Sequence, residues 1–182
     1  MKLIETGFKG LVLLEPKVFG DNRGYFMESY NSNVLKSLGL DAEFIQDNQS
    51  SSKYGVVRGL HYQNAPYAQT KLVRVLSGTI LDVVVDLRRD QPTFGKPYAI
   101  EISAENKRQI YVPKGFAHGF SVLSEAAEIL YKCDNYYHPE AEGGVLYNDP
   151  ALRIDWGVKE GLISLSEKDK KNPVLAEAII KF

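Results

Sequence analysis

Short apolar runs of alternating pattern, each closed by a turn signal, succeed one another through most of this chain. Residues 10–15 and 24–30 read as extended, with a turn at Asp21-Asn22-Arg23-Gly24 between them. Further extended runs cover 44–48, 56–63, 71–76, 79–87, 98–103, 108–112, 118–123 and 128–134. Those at 71–76 and 79–87 join at Ser77-Gly78. One early helix is predicted over 33–38, with Asn31 or Ser32 capping its start and Gly39 closing it. Many short strands with helices only at the margins predict an all-β sandwich or barrel, not repeated strand–helix–strand units. No repeat, low-complexity tract or linker divides the 182 residues, so a single domain is expected over 1–182. Ser166-Glu167-Lys168-Asp169 resembles a capped helix start. Residues 170–182 are expected at the periphery, where the apolar stretch 174–180 can pack onto the sheet or onto a second subunit.

Several of these strands carry polar residues on the side that should face the core. Period-2 parity puts Lys71 with Val73 and Val75, His118 with Phe120 and Val122, and Tyr131 with Ile129 and Cys133. Polar groups there are costly unless paired or working. Together with Arg58 and His61 they suggest a lined pocket. Taken singly, an inward His is more often a hydrogen-bonded core residue, and an inward Tyr is commonly packing with a satisfied hydroxyl. Asp169 alone reads as a helix-start carboxylate and Arg23 as an exposed turn residue. Lys71 is the hardest to dismiss, because a buried lysine has no cheap structural role.

Charge narrows the ligand class. With 22 basic and 23 acidic residues the net charge is −1, so nothing favours bulk attraction to nucleic acid or membrane. An anionic ligand must be met by locally placed Arg and Lys. Cys133 is the only cysteine, which excludes an intramolecular disulfide and suits a reducing compartment. No N-terminal run resembles a signal peptide and Val83–Val85 is too short to span a bilayer, so a cytoplasmic protein is expected.

The chemistry available to the pocket comes from its side chains. Pro113-Lys114-Gly115-Phe116-Ala117-His118 is a P-x-G-x-x-H turn, a spacing found in the second conserved segment of the cupin superfamily. Metal-binding cupins carry H-x-H in their first segment, whereas His61-Tyr62-Gln63 supplies one imidazole. A first-row metal needs three or four placed ligands, and Lys71 would oppose a cation, so no metal is expected. His61 can instead act as a base near neutral pH, and Tyr131 as an acid from another direction. Lys71 and His118 can hold a carbonyl oxygen as negative charge builds on it. Those parts suit removal of a proton beside a carbonyl and its return to the opposite face. Arg23 and Arg58 remain as forked donors for phosphate.

The ordered motifs resemble one family. Asp21-x-Arg23-Gly24-x-Phe26-x-Glu28, Gln46-Asp47-Asn48 and Val57-Arg58-Gly59-Leu60-His61-Tyr62-Gln63 are similar to the opening of the dTDP-4-dehydrorhamnose 3,5-epimerases. Lys71-Leu72-Val73-Arg74, Val112-Pro113-x-Gly115-x-x-His118-Gly119-Phe120 and Tyr131-Lys132 continue the likeness. Asn148-Asp149-Pro150, Ile154-x-Trp156 and Ser166-x-Lys168-Asp169 close it. The resemblance implies a cupin-type jelly roll with a few short peripheral helices, working as a homodimer without a cofactor. The implied substrate is dTDP-4-dehydro-6-deoxy-glucose, on the route to dTDP-L-rhamnose. By this likeness His61 removes the C3 and C5 protons, Asp169 orients its imidazole, Tyr131 delivers a proton from the other face, and Lys71 stabilises the enolate with help from His118. Arg23, Phe26 and Glu28 would meet the nucleotide across the dimer interface. Gln46, Asn48 and Arg58 would hold nucleotide and diphosphate, with Asp47, Glu142 and Lys168 as further substrate-binding positions. Tyr136 or Tyr137 would pack against the base or the sugar.

Rival readings remain at this level. Within the family they are an epimerase of C3 or C5 alone, or of another nucleotide-linked 4-keto sugar. A 3,4-ketoisomerase of related barrel fold fits the Lys71 and Tyr131 motifs less well. Outside the family they are a metal-dependent cupin oxygenase, which lacks its H-x-H here, and a non-catalytic sugar-binding barrel, which would need no His61–Asp169 pairing.

Overall fold

The computed structural model describes residues 1–182. Its strands are, in chain order, β1 (Lys2–Glu5), β2 (Val12–Glu15), β3 (Val18–Asp21), β4 (Gly24–Met27), β5 (Gln46–Lys53), β6 (Val57–Gln63) and β7 (Lys71–Ser77). Then come β8 (Thr79–Asp86), β9 (Pro97–Ser103), β10 (Gln109–Val112), β11 (Phe116–Val122), β12 (Ala126–Cys133) and β13 (Glu142–Gly144). One sheet has the order β1-β2-β10-β7-β12-β5 and the other β13-β6-β11-β8-β9, while β3 and β4 form a separate hairpin. All named strand pairs are antiparallel.

Alternation dictates how the sheets meet. Val73, Ile110 and Ile129 from the first sheet pack against Ile80, Val84 and Phe120 from the second, forming one buried core. This is the all-β sandwich that the strand pattern predicts, of the cupin type that the family resemblance implies. The outer face of the first sheet is covered by helix α1 (Ser32–Ser37), which buries Leu35 with Val12, Leu14 and Leu72. Asn31 caps it by accepting from the amides of Asn33 and Val34 at 3.0 and 3.3 Å. The outer face of the second sheet is covered by the C-terminal third, where Trp156 and Ala178 join Val57, Leu60, Val83 and Val85. Strand β8 is therefore covered on both sides, which is why Val83, Val84 and Val85 are all buried in unbroken succession. The tail is tied down as well, since the Tyr62 hydroxyl donates to the Ile179 carbonyl at 2.9 Å. No helix is long and apolar enough to cross a membrane.

The elements depart from expectation in a few informative places. Ser77-Gly78 is where the chain leaves one sheet for the other, since β7 pairs with β10 and β12 while β8 pairs with β9 and β11. A Cβ on Gly78 would lie 2.1 Å from the Ala126 carbonyl oxygen, so the corner closes only around glycine. The extended run anticipated at 44–48 lies instead at Gln46–Lys53, an edge strand of wholly polar sequence held by pairing with β12 along its length. Ser166 does accept from the Asp169 amide at 3.1 Å. The chain then makes a single 3₁₀ turn, Asp169–Lys171, and not a longer helix. Strands β1, β3 and β13, of three or four residues, are too short to register as periodic segments.

Candidate active site

Between the two sheets the core opens into a cleft of about 420 Å³, with an adjoining recess of about 150 Å³. His61, Lys71 and Tyr131 line both. Register explains their arrangement. Lys71 on β7 pairs with Cys133 on β12, so Tyr131, two residues earlier on the same face, is its diagonal neighbour on the first sheet. His61 on β6 pairs with His118 on β11, placing both imidazoles on the second sheet. The base candidate and the acid candidate thus stand on opposite walls.

Arg58 and His61 share the cleft although three residues separate them, a spacing that strict alternation would put on opposite faces. The β6–β11 register runs from His61 opposite His118 to Arg58 opposite Phe120, so β6 carries one extra residue, a bulge at Gly59-Leu60. Val57, Leu60 and Tyr62 stay on the outer face while both polar side chains turn inward. The bulge needs close backbones: a Cβ on Gly59 would sit 2.5 Å from the Gly119 Cα. Arg58 is oriented by a bond from its Nε to the Ser52 hydroxyl at 3.0 Å.

His61 Nε2 lies 2.6 Å from Asp169 Oδ1, joining residues 108 apart in sequence. The Gly59 amide donates to the other Asp169 oxygen at 3.4 Å. Glu142 accepts from the Tyr137 hydroxyl at 2.8 Å and forms an ion pair with Lys168, closing one end of the recess. Gln46 and Asn48 also line the recess, bonded to each other at 3.1 Å. His118 is buried, its Nε2 2.8 Å from Asp82 Oδ2.

Four of the anticipated positions lie elsewhere. Asp47 points to the far side of β5, because successive strand residues alternate, and there it pairs with Lys132 at 2.9 Å. Arg23 and Phe26 sit on the β3–β4 hairpin, exposed, with Arg23 paired to Asp21 at 2.5 Å. Glu28 comes just after that hairpin and accepts from the side chain of Asn31 at 3.0 Å. None of the four lines the cleft within one chain. The residue that pattern-reading overlooked is Asp82, a lone carboxylate in Thr79-Ile80-Leu81-Asp82-Val83-Val84, on the core-facing parity of Ile80 and Val84.

Known proteins resemble this chain in sequence and in fold. A profile of the dTDP-4-dehydrorhamnose 3,5-epimerases matches residues 5–177. The chain is 50% identical over 181 residues to the dTDP-4-dehydrorhamnose 3,5-epimerase of Salmonella typhimurium, covering 99% of this chain and 98% of that one.

The chain belongs to the dTDP-4-dehydrorhamnose 3,5-epimerase family.

Solved epimerases agree in three dimensions. The crystal structure of the 3,5-epimerase from Elizabethkingia anophelis superposes with a TM-score of 0.94 at 54% identity, over 97% of both chains. A dTDP-6-deoxy-D-glucose-3,5-epimerase from Legionella pneumophila, in complex with dTDP-4-keto-L-rhamnose, superposes at 0.92 with 48% identity, over 97% of this chain and 93% of that one.

Burial and neighbouring groups act on the titratable side chains of the cleft. Loss of water pushes the Lys71 amine down, with Cys133, Asp82 and Glu142 pulling the other way. Burial, and Cys133 nearby, push the Tyr131 phenol up, with Arg58 opposing. Burial alone would raise the Asp169 carboxyl. The His61 hydrogen bond and charge, the Gly59 amide and the Ser166 hydroxyl outweigh it and hold the group below the ordinary carboxylate range. Since the folded value is depressed, the stabilisation is complete above the unfolded pKa of about 3.9 and is lost as pH falls through the folded value. Urea unfolding of the protein and of Asp169→Asn should therefore differ fully near neutrality and begin to converge only as pH falls below about 4. A gap of equal size at pH 3 and pH 7 would contradict this.

Proposed function

We propose that this chain epimerises C3 and C5 of dTDP-4-dehydro-6-deoxy-glucose, with His61 as base, Asp169 as its orienting carboxylate, Tyr131 as acid and Lys71 as the enolate's partner. One observation carries this reading: the Asp169-bonded imidazole and the half-buried phenol stand on opposite sheets across one cleft, with an unpaired lysine beside the phenol. His61 takes the proton from the carbon beside the 4-keto group, and the bonding pair moves to leave charge on the C4 oxygen. There the Lys71 ammonium holds it, in a site whose partial dehydration strengthens the attraction. Tyr131 then gives its proton to the same carbon from the other side, inverting it. The 4-keto group acidifies C3 and C5 alike, so one base and one acid serve both centres once the sugar shifts, His61 sheds its proton to solvent and Tyr131 regains one. Arg58, Gln46 and Asn48 suit the diphosphate and base, and Glu142 with Lys168 closes the sugar end.

Tyr131→Phe separates the two half-steps. Proton removal, read as solvent-deuterium uptake at C3 and C5, should persist while inverted product falls by about 10²-fold. Full epimerisation by that variant would remove Tyr131 as the acid.

In this reading residues 1–182 act as one unit in the cytoplasm, the lone buried thiol of Cys133 suiting a reducing compartment. The working form is a homodimer. The β3–β4 hairpin exposes Phe19 and Phe26 as a cross-strand pair, and Phe26 is 68% exposed. Such an apolar group is costly in water. A second copy that covers it would bring Arg23, Phe26 and Glu28 to the nucleotide end of its partner's cleft. Sedimentation equilibrium should give twice the chain mass, and Phe26→Ala should raise KM more than it lowers kcat. A fully active monomer would rule this out.

A further inference from the structure

The cleft holds a second imidazole–carboxylate pair that proton transfer at C3 and C5 leaves idle. Asp82 is 0% exposed and lies on the core-facing side of β8, between Ile80 and Val84, both also fully buried. One of its oxygens, Oδ2, meets His118 Nε2 at 2.8 Å. The other, Oδ1, is sealed from solvent with no hydrogen-bond partner. A buried ion pair is weak support for stability, and a well-packed apolar pair of the same volume often does as well or better. A half-satisfied carboxylate in an apolar core therefore calls for a reason other than folding.

Its position supplies one. His118 stands directly opposite His61 in the β6–β11 register and lines the same cleft. Asp82's charge also reaches the Lys71 ammonium. An ionised carboxylate only accepts, so the 2.8 Å contact requires the proton on Nε2 and leaves Nδ1 as the free ring nitrogen. Nδ1 is not among the sealed, unpartnered atoms.

We propose that Asp82 is a positioning residue for the epimerisation, which holds His118 through Nε2–H and stabilises its imidazolium form so that Nδ1–H meets the substrate's C4 oxygen beside Lys71. This inference rests on the epimerase function proposed for the cleft. No bond is made or broken at Asp82. Nδ1 takes a proton from solvent as the substrate enters, the carboxylate stabilises the resulting imidazolium, and its Nδ1–H donates alongside the ammonium as charge builds on the oxygen. A carboxylate behind a histidine in a catalytic triad acts in the same way. The cleft thus divides its labour between two pairs: Asp169–His61 works at carbon, and Asp82–His118 at oxygen.

The test compares Asp82→Asn, His118→Gln and the double variant. Losing one oxyanion donor costs about 10²–10³-fold in kcat, so His118→Gln should fall in that range. Asp82→Asn keeps size but removes the charge that stabilises the imidazolium, leaves His118 a weaker neutral partner for the oxygen, and should lower kcat by about tenfold or more with KM little changed. Because Asp82 acts through His118, the double variant should be no slower than His118→Gln alone. Wild-type kcat in folded Asp82→Asn, or multiplicative losses in the double variant, would overturn the proposal. A second readout needs no variant of Asp82 to fold. With the three histidines labelled with ¹⁵N, the His118 signal, assigned by its loss in His118→Gln, should show a protonated Nε2 in the free wild-type protein. A neutral ring with its proton on Nδ1 would equally overturn it. Both results stay separate from failure of the function itself, which would appear as a wild-type protein that turns over no substrate.

Discussion

Replacing His61 with Asn lowers turnover by at least the roughly 10²–10⁴-fold that a positioned base supplies, with the fold kept. Geometry singles this residue out. Of the three histidines, only His61 has a ring nitrogen 2.6 Å from a buried carboxylate while its side chain remains 32% exposed to the cleft. His118 is tied into the core by Asp82, and His138 sits outside the cleft, stacked on Tyr67 with ring centroids 3.6 Å apart. An asparagine keeps a donor for Asp169 and takes no proton from carbon. Proton uptake at both C3 and C5 should then fail together, because one base serves both. Steady-state rates and thermal unfolding of the same sample check the two halves of the statement. A variant retaining more than a tenth of the activity would move the base elsewhere.

Lys71→Met should divide activity from stability. The ion pairs around the cleft belong to His61, His118 and Lys168, which leaves the Lys71 ammonium without one of its own. Burial already pushes its amine down, the mark of a charge held where water is scarce. Methionine fills similar space without that cost. Turnover should fall by about 10²–10³-fold, as for other oxyanion donors, while the melting temperature stays level or rises. A fall in both would mean that Lys71 holds the two sheets together, and the enolate would need another partner.

How far these sites could be read from sequence depended on strand regularity. Lys71, His118 and Tyr131 lie on strands with apolar neighbours at alternate positions, so parity alone turned them inward. Strand β5 offered no such signal. Its inner face, with Gln46, Asn48 and Ser50, lines the cleft and not the core, so its polar sequence hides a strand held by backbone pairing to β12. The bulge at Gly59-Leu60 breaks period-2 counting at the point that brings Arg58 and His61 together. The contact between His61 and Asp169 spans 108 residues, and only the family resemblance anticipated it. Asp47 shows the converse limit: a motif carries a residue into a site by proximity in sequence, and strand alternation turns it out again. Asp82 was visible as a charge on an apolar strand, yet its meaning depended on which strand lay beside β8.

Proton NMR of dTDP-4-dehydro-6-deoxy-glucose, incubated with the protein in deuterated buffer, reads the proposed chemistry at the reacting carbons themselves. Both the C3 and C5 proton signals should disappear, with inverted product formed at both centres. Exchange at one carbon alone would keep the His61–Tyr131 chemistry but contradict the double epimerisation. No exchange at either carbon, in folded protein, would contradict the proposed function as a whole.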